Sequence, residues 1–208
     1  MAGPEVIFFV FDGFSDWEAS YALAGIASPQ LQRQPARYRV RTAGLTTAPV
    51  TSMGGLRVEP DLSLAEIAAD RCAMLILPGG ESWDRGGNAA AASLAGHLLA
   101  AGVPVAAICG ATAGLARHGL LDARRHTSNM PEYLAATGYR GAALYIDSGA
   151  VSDGDVITAS GIAPVDFARE IFHRLDLYPP AVIDAWFQLF KTGDRQYYAA
   201  LMQAAAAA

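Results

Sequence analysis

The sequence is poor in cysteine and in charge, and it lacks both basic clusters and long apolar runs. Its 208 residues include only two cysteines, Cys72 and Cys109. We therefore expect no disulfide framework, and we expect the protein to reside in a reducing compartment. The net charge is −5 with Lys and Arg dispersed, which argues against nucleic acid as a partner. No apolar run could span a bilayer, and no basic region precedes the first one as in a signal peptide. We therefore expect a cytoplasmic protein that binds neither membrane nor nucleic acid.

Apolar residues are abundant, at 52% against 17% charged, and they are arranged in short runs between longer segments. The runs are rich in β-branched and aromatic residues or continuously apolar, which predicts buried strands at residues 6–11, 38–43, 73–77, 103–108, 149–151 and 156–159. The intervening segments predict helices at residues 89–101, 111–118 and 163–175. Strands alternating with crossover helices predict an α/β fold in which a mainly parallel sheet is covered on both faces.

The chain divides into a main domain, residues 1–176, and a C-terminal helical extension, residues 177–208. The extension is predicted to contain helices at residues 181–191 and 194–202 and to pack on the same domain, although its aromatic residues would also suit a partner subunit. Residues 46–61 are rich in Thr, Gly and Pro and are expected to form a small excursion before a short helix that starts at Ser63.

Cys109 is the first candidate for chemistry. It lies between a buried strand and a helix of small residues, on a sharp turn like that of a nucleophile elbow. A thiol at a helix N-terminus also lies near the positive end of the dipole, which favours the thiolate. The alternative is a small buried cysteine that fills space; the position on the turn favours function. Cys72, at the edge of a strand, is interpreted as structural.

Two other loops leave the carboxyl ends of predicted strands, where reactive groups of parallel sheets gather. In the first, Ser15 and Glu18 have capping-box spacing, so Glu18 either caps the helix or reaches toward Cys109 and exchanges a proton with it. In the second, Gly79 and Gly80 offer backbone amides, which form either a plain turn or, with the amides after Cys109, an oxyanion hole.

Histidines and metal ligands are scarce around these loops. His126 is the one histidine near a predicted strand end beyond the elbow, and we treat it as a possible accessory residue. No pair of His, Cys or carboxylate residues has the spacing of metal ligands, so neither a metal nor a cofactor is expected.

Five segments together resemble the ThiJ/PfpI superfamily, in order and at the expected intervals. They are DGFSDWE at residues 12–18, LPGG at 77–80, AICGA at 107–111, TSN at 127–129 and TASG at 158–161. The resemblance covers about residues 5–176. It implies a flavodoxin-like three-layer sandwich related to class I glutamine amidotransferases, usually assembled as a homodimer or larger. It also implies a reactive Cys109, a Glu18 that hydrogen-bonds it, and oxyanion amides at Gly79, Gly80 and Gly110.

Two departures from the family pattern concern histidine. Protease-like members place a His directly after the Cys, where this sequence has Gly110, and others place one where this sequence has Asn129. A Cys–His dyad is therefore not carried over, and Asn129 is expected to orient a water or a polar group of the substrate.

Two classes of function fit these features. In the first, the chain is a cofactor-independent cysteine enzyme that acts on a small amide or reactive carbonyl, by amidase- or peptidase-like hydrolysis or a glyoxalase-type reaction. In the second, it is a redox sensor or stress-response protein in which Cys109 is oxidised. A regulatory, amidotransferase-like domain that binds a partner is a third reading.

Overall fold

The computed structural model describes residues 3–207, which form one central sheet, a small hairpin and seven α-helices. The strands are β1 Glu5–Phe9, β2 Arg39–Gly44, β3 Val50–Thr51, β4 Arg57–Val58, β5 Leu62–Ser63, β6 Cys72–Leu77, β7 Val105–Ile108, β8 Ala150–Asp153 and β9 Val156–Ala159. The central sheet has the order β5-β2-β1-β6-β7-β9-β8, and every pair in it is parallel except the antiparallel β8–β9 edge.

The helices flank this sheet in two groups. They are α1 Asp16–Ala27, α2 Ala89–Ala100, α3 Gly110–Arg117, α4 Pro131–Ala135, α5 Pro164–Arg174, α6 Pro180–Thr192 and α7 Gln196–Ala206. Helices α1 and α5 pack together with α6 and α7 beside them, whereas α2 packs with α3 and α3 with α4. The predicted α/β three-layer sandwich with a mainly parallel sheet is thus confirmed.

The central strands are apolar over their whole length because both faces of the sheet are covered. In β6 the last four residues are fully buried, and in β7 all four are. This explains why the sequence shows continuous apolar runs there, without the alternation of a half-exposed strand. Trp83 is also fully buried, and its ring leaves room only for glycine at Gly114 of α3, where a Cβ would lie 2.3 Å from the ring.

The excursion at residues 46–61 contains the hairpin β3–β4, which is bound to the loop after β1. The backbone N–H of Thr51 donates to the Asp12 carboxylate at 2.8 Å, and that of Gly54 donates to Asp16 at 2.6 Å. The backbone N–H of Met53 donates to the Phe14 carbonyl at 2.8 Å. These bonds fix the hairpin at the sheet edge that carries Glu18. The short helix after Ser63 is a 3-10 turn, Leu64–Glu66, with a complete capping box.

The C-terminal helices cover α1 and α5 through aromatic contacts. The Trp186 ring of α6 lies 4.9 Å from that of Phe172, and Tyr21 of α1 contacts both Trp186 and Phe190. The Arg169 guanidinium lies over the Phe187 ring at 4.1 Å. Three aromatic residues of the C-terminal extension, Trp186, Phe187 and Phe190, therefore pack on the main domain. The predicted main domain, residues 1–176, and the predicted extension, residues 177–208, include residues 1, 2 and 208, which lie outside the residues that the structure describes. None of the helices in residues 3–207 is long and apolar enough to cross a membrane.

Candidate active site at the carboxyl ends of four strands

Four adjacent strands, β1, β6, β7 and β9, end at one edge of the sheet and direct their loops to one place. The loop after β1 carries Glu18, the loop after β6 carries Gly79 and Gly80, and Cys109 follows β7 directly. The loop after β9 adds Gly161. This is the edge at which ligands of open α/β sheets bind.

Cys109 occupies a strained turn between β7 and α3. Its backbone has φ +56° and ψ −125°, in a region that costs a non-glycine residue about 1–3 kcal/mol. Two bonds hold it there: its N–H donates to the Ala159 carbonyl at 3.0 Å, and its carbonyl accepts the Thr112 hydroxyl at 2.6 Å. The predicted sharp turn is therefore present. Hydrogen bonds to the neighbouring strand β9 and to α3 hold the backbone of Cys109 in its strained conformation.

Glu18 is buried beside this thiol rather than closing a capping box. Ser15 occupies the N-cap position of α1, but its hydroxyl does not bond the helix backbone. The Glu18 Oε2 atom instead accepts the backbone N–H of Gly79 at 2.5 Å, and the Ser15 N–H donates to the Gly79 carbonyl at 3.0 Å. The other oxygen, Oε1, is buried without a well-formed hydrogen bond. The structure therefore places Glu18 against the Gly79 amide and Cys109 and not on the backbone of its own helix, and its proton exchange with the thiol stays a prediction.

Burial sets the protonation of both groups. It raises the pKa of Glu18 from 4.5 to about 7, although hydrogen bonds from Gly79, Cys109 and Ser15 oppose the rise. Burial also raises the pKa of Cys109 from 9.0 to about 11, and the Glu18 carboxylate adds to the increase. The expectation that the helix dipole favours the thiolate is thus not met in the resting site, because desolvation of a charged sulfur outweighs it. The two groups interact directly, so they titrate as a pair.

Two glycines provide the space that this pair occupies. A Cβ at Gly79 would lie 2.8 Å from Glu18 Oε2 and 2.9 Å from Cys109 Sγ. A Cβ at Gly161 would lie 2.9 Å from Cys109 Sγ and 3.2 Å from Glu18 Oε1. Any other residue at either position would displace the thiol or the carboxyl group.

The three glycines predicted as oxyanion donors differ in what their amides do. The Gly79 N–H already donates to Glu18, so it is not free for a substrate oxygen, which corrects the prediction for this residue. Gly80 and Gly110 both line the cavity in front of the thiol. They lie side by side, since a Cβ at Gly110 would be 3.3 Å from the Gly80 nitrogen. The Gly110 N–H also interacts with Cys109 and lowers the pKa of its thiol.

Asn129 contacts the thiol directly. Its Nδ2 donates to Cys109 Sγ at 3.4 Å, while its Oδ1 accepts the Gly161 N–H at 2.9 Å. The first bond opposes the effect of burial and lowers the pKa of the thiol. Asn129 therefore fixes both the sulfur and the loop after β9.

His126 is directed away from the cavity. It is fully buried, its Nδ1 donates to the Arg124 carbonyl at 2.7 Å, and its Nε2 pairs with the Tyr139 hydroxyl at 3.0 Å. The Tyr139 and Tyr145 rings pack against the imidazole. Both ring nitrogens are thus occupied within a structural cluster, and the prediction of an accessory role is not supported by this placement.

A cavity of about 570 Å³ opens in front of Cys109. Its wall is mostly apolar, and it also holds three carboxylates. It is lined by Ser15, Trp17, Glu18, Met53, Gly80, Glu81, Asp84, Cys109, Gly110, Asn129, Tyr133, Gly161, Ile162 and Pro164. In the part of the chain that the structure describes, no group of three or more His, Cys, Asp or Glu side chains is arranged to hold a metal ion. Neither histidine nor lysine nor arginine belongs to the lining among these residues.

The fold and the site define a class of protein: an α/β sandwich with a cysteine on a strand-to-helix turn and a buried glutamate beside it. Comparison with known proteins identifies the family. The DJ-1/PfpI family profile matches residues 4–174. The chain therefore belongs to the DJ-1/PfpI family. It is 39% identical over 205 residues to a Bacillus subtilis protein named uncharacterized protease YoaZ, covering 97% of this chain and 98% of that protein.

Solved structures agree with this assignment. A ThiJ/PfpI family protein from Bacillus anthracis superposes with a TM-score of 0.91 at 38% identity, with 98% of each chain covered. A DJ-1 superfamily protein from Agrobacterium tumefaciens gives a TM-score of 0.80 at 36% identity and covers 91% of this chain and 98% of its own. The resemblance inferred from the five motifs is confirmed.

Several cavity residues were not singled out from the sequence. Asp84 and Tyr133 lie 49 positions apart and meet only in the folded chain, where the Tyr133 hydroxyl donates to Asp84 Oδ1 at 2.5 Å. Met53 reaches the cavity through the hairpin, whose docking no local pattern indicates. Trp17 and Gly161 belong to the family motifs, and no sequence pattern assigns them a separate role.

Proposed function

We propose that this protein is a cofactor-independent enzyme in which Cys109 adds to the carbonyl carbon of a small amide or reactive aldehyde. The observation that carries the proposal is the buried Glu18–Cys109 pair at the bottom of an accessible cavity. A thiol with a raised pKa is a poor nucleophile by itself, but a carboxylate in contact with it can take its proton at the moment of attack.

The addition step uses the groups around the thiol. The proton passes from Cys109 to Glu18, the sulfur forms a bond to the carbonyl carbon, and the π electrons move to the oxygen. Gly80 and Gly110 line the cavity, and their N–H groups are the donors that we assign to this oxyanion. The Gly110 N–H interacts with the sulfur in the resting site and would shift to the oxyanion when the C–S bond forms. With an aldehyde, Glu18 returns the proton to the oxyanion, and the product of this stage is a hemithioacetal.

With an amide the reaction continues to hydrolysis. Glu18, now protonated, gives its proton to the nitrogen as the C–N bond breaks, and the amine leaves while the acyl group stays on sulfur as a thioester. Water then attacks the thioester as Glu18 accepts its proton, and the C–S bond breaks to release the carboxylic acid. Glu18 returns the proton to the Cys109 sulfur, which restores the resting site. One carboxyl group with a pKa of about 7 can serve as base and acid in turn near neutral pH.

The name of the Bacillus subtilis relative includes the word protease. The cavity of this protein supports hydrolysis of small amides more than cleavage of polypeptides. A protease with a Cys–His dyad would need an imidazole near the sulfur, whereas Glu18 and Asn129 are the polar side chains in contact with Cys109. The cavity volume of about 570 Å³ is in the range of small-molecule sites, which favours small substrates over an extended polypeptide.

Steady-state assays with methylglyoxal and a panel of primary amides test the proposal. We expect turnover with wild type, and loss of turnover by more than a hundredfold with Cys109→Ser and with Glu18→Leu. Cys72→Ser is the matched control, because Cys72 is buried at the opposite end of a strand. Turnover that survives Cys109→Ser would contradict the assignment of the nucleophile.

Oxidation of Cys109 is the second candidate function, and the donors around the sulfur favour it. Asn129 Nδ2 and the Gly110 N–H both interact with Sγ and would stabilise the oxygens of a sulfenic or sulfinic acid. Mass mapping after mild peroxide treatment separates the two cysteines. Equal oxidation of Cys72 and Cys109 would count against a sensor.

We also propose that the protein forms a homodimer, as the family resemblance implies, and acts on a small molecule in the cytoplasm. Two apolar side chains at the cavity rim support a subunit contact: Ile162 is 93% exposed and Trp17 is 50% exposed. Sedimentation at micromolar concentration should give the mass of a dimer, and a monomer would contradict the proposal.

A further inference from the structure

We propose that Asp84 and Tyr133 form a subsite that binds a cationic or N–H-donating group of the substrate, so that the cavity selects amino-bearing carbonyl compounds and rejects anionic ones. The juxtaposition behind this inference is a carboxylate–phenol pair on the wall of the cavity that contains Cys109. The inference rests on the proposed function, since it names the class of substrate for the same site.

The pair joins two segments that already hold the reactive centre. Asp84 lies in the loop after β6, four residues beyond Gly80, and Tyr133 lies in α4, four residues beyond Asn129. The bond between them connects the glycine loop to the segment whose Asn129 contacts the sulfur. A group held by the pair therefore has a fixed position relative to the thiol.

The pair presents hydrogen-bond acceptors to the cavity. The single hydroxyl hydrogen of Tyr133 is donated to Asp84 Oδ1, which leaves the phenol oxygen as an acceptor. Burial and the bond to Asp84 both raise the pKa of Tyr133, so the phenol keeps this hydrogen at neutral pH. Among the described residues, Asp84 Oδ2 has no side-chain partner and is a second acceptor. Acceptors alone select N–H, ammonium or hydroxyl groups.

A neighbouring cation, Arg117, acts on the pair through its charge, which lowers the pKa of Tyr133, but it does not line the cavity. Its guanidinium is directed to backbone carbonyls, with bonds to Trp83 at 2.6 Å and to Asp84 at 3.4 Å. Arg85 pairs with Glu81 at 3.4 Å on the exposed rim. An anionic substrate would therefore meet Glu18 and Asp84 with no lysine or arginine in the described lining to balance it.

The rest of the wall gives the shape of the molecule that fits. N–H groups of Gly80 and Gly110 can hold a carbonyl oxygen at one side, and the acceptors of Asp84 and Tyr133 can hold an amino group at another. The same cavity is lined by the apolar side chains of Trp17, Met53, Ile162 and Pro164. The Trp17 indole N–H is donated to the Gly161 carbonyl at 3.3 Å and is not offered to a ligand. An amide or aldehyde with an apolar body and an ammonium group matches all three features.

Charge selectivity can be measured on the thiol itself, without catalysis. Three methanethiosulfonates transfer a thiol group that carries an ammonium (2-aminoethyl), no charge (methyl) or a sulfonate (2-sulfonatoethyl), and each releases methanesulfinate. Rate constants are measured on the full chain at pH 7.5, with the modified cysteine identified by peptide mass, and are divided by those for N-acetylcysteine amide. We expect the normalised ammonium-to-sulfonate ratio at Cys109 to be above one by about tenfold or more, the effect of a unit charge at short range.

Variants assign the selectivity to the subsite. Asp84→Asn should lower the ratio by about tenfold, and Tyr133→Phe, which removes one acceptor and releases Asp84, should change it by less. Asp70→Asn is the control for net charge, because Asp70 is exposed and precedes β6 at the opposite edge of the sheet; its ratio should equal that of wild type. The methyl reagent should react similarly with wild type and Asp84→Asn, which shows that the thiol itself is unchanged.

An unchanged ratio in both Asp84→Asn and Tyr133→Phe would overturn the subsite, as would a failure of all three reagents to modify Cys109. The first result leaves the proposed enzyme intact, since turnover in the amide and aldehyde assays is measured separately. Conversely, a charge preference that depends on Asp84 in a protein that turns over none of those substrates would support the subsite and count against the proposed reaction.

Discussion

Glu18 and Cys109 share a buried position in which the charge of one group opposes the charge of the other. The thiol lowers the pKa of Glu18 by hydrogen bonding, and the Glu18 carboxylate raises the pKa of Cys109. The Gly79 amide fixes one carboxyl oxygen, Oε2, and the other, Oε1, is buried without a well-formed hydrogen bond. The pair therefore holds one negative charge over a broad pH range, and moving that charge to sulfur requires only a proton transfer within the pair.

The pH dependence of alkylation tests this coupling. We expect the rate of iodoacetamide with Cys109 to rise with an apparent pKa near 7, where the pair loses its first proton, to stay level, and to rise again near 11. Glu18→Gln should abolish the inflection near 7 and leave a single rise below 11, because the carboxylate that raised the thiol pKa is absent. Glu59→Gln, at an exposed carboxyl, should keep the wild-type profile. A single rise near 11 in wild type would exclude proton exchange with Glu18.

The stability of the protein should depend on the same carboxyl group. The pKa of Glu18 is higher in the folded chain than in the unfolded chain, about 7 against 4.5, so the folded state binds the proton more tightly. Its contribution to the free energy of unfolding is therefore present below pH 4.5 and is lost as the pH rises through 7, by about 3 kcal/mol. In urea denaturation, the free energy of unfolding of Glu18→Gln minus that of wild type should be larger at pH 8 than at pH 5. A difference that does not vary with pH would contradict the raised pKa.

Gly161→Ala tests the space around the sulfur. The added Cβ would lie 2.9 Å from Cys109 Sγ and 3.2 Å from Glu18 Oε1, so the variant must displace one of them. We expect alkylation of Cys109 to slow by about tenfold or more, with a loss of stability of about 1–3 kcal/mol. Gly96→Ala in α2 is the matched control, because the nearest atom there is 3.6 Å away; it should be neutral or stabilising. Equal alkylation in the two variants would show that the thiol does not need Gly161.

Asn129→Asp replaces a donor to the sulfur by a negative charge. The Nδ2 bond now lowers the pKa of Cys109, so its loss together with the new charge should raise that pKa and slow alkylation at pH 8. Asn129→Ala removes the bond without adding charge and should have the smaller effect. A thiol that alkylates faster in Asn129→Asp than in Asn129→Ala would contradict the proposed electrostatic role of this residue.

The fold and the reactive centre could be predicted from the sequence because their signals are local. A continuous apolar run followed by Cys109-Gly110 predicts a strand, a turn and a helix within ten residues of sequence. The spacing of Ser15 and Glu18 predicts the start of α1 equally well, since α1 begins at Asp16. The motif order was then specific enough to identify the family.

The direction of each polar group could not be predicted, because it depends on contacts between distant segments. Glu18 leaves its own helix backbone since the Gly79 amide, 61 residues away, provides a buried donor. The helix dipole at Cys109 is a local feature, whereas the burial that outweighs it depends on the loops after β1 and β9. Asp84 and Tyr133 have no sequence signal at all: an exposed aspartate in a loop and a tyrosine in a five-residue helix are each unremarkable alone.

The placement of the reactive groups on four different strands has a consequence for how activity relates to the state of the chain. Glu18, Gly79, Cys109 and Gly161 are spread over most of the polypeptide, and a fragment that does not include all of residues 18–161 lacks part of the constellation. The non-local pairing of parallel strands forms late in folding, so a nascent chain or a proteolytic fragment holds an ordinary thiol. The native reactivity of the Cys109 thiol therefore requires the folded chain. Its alkylation rate reports the fraction of molecules in the native state.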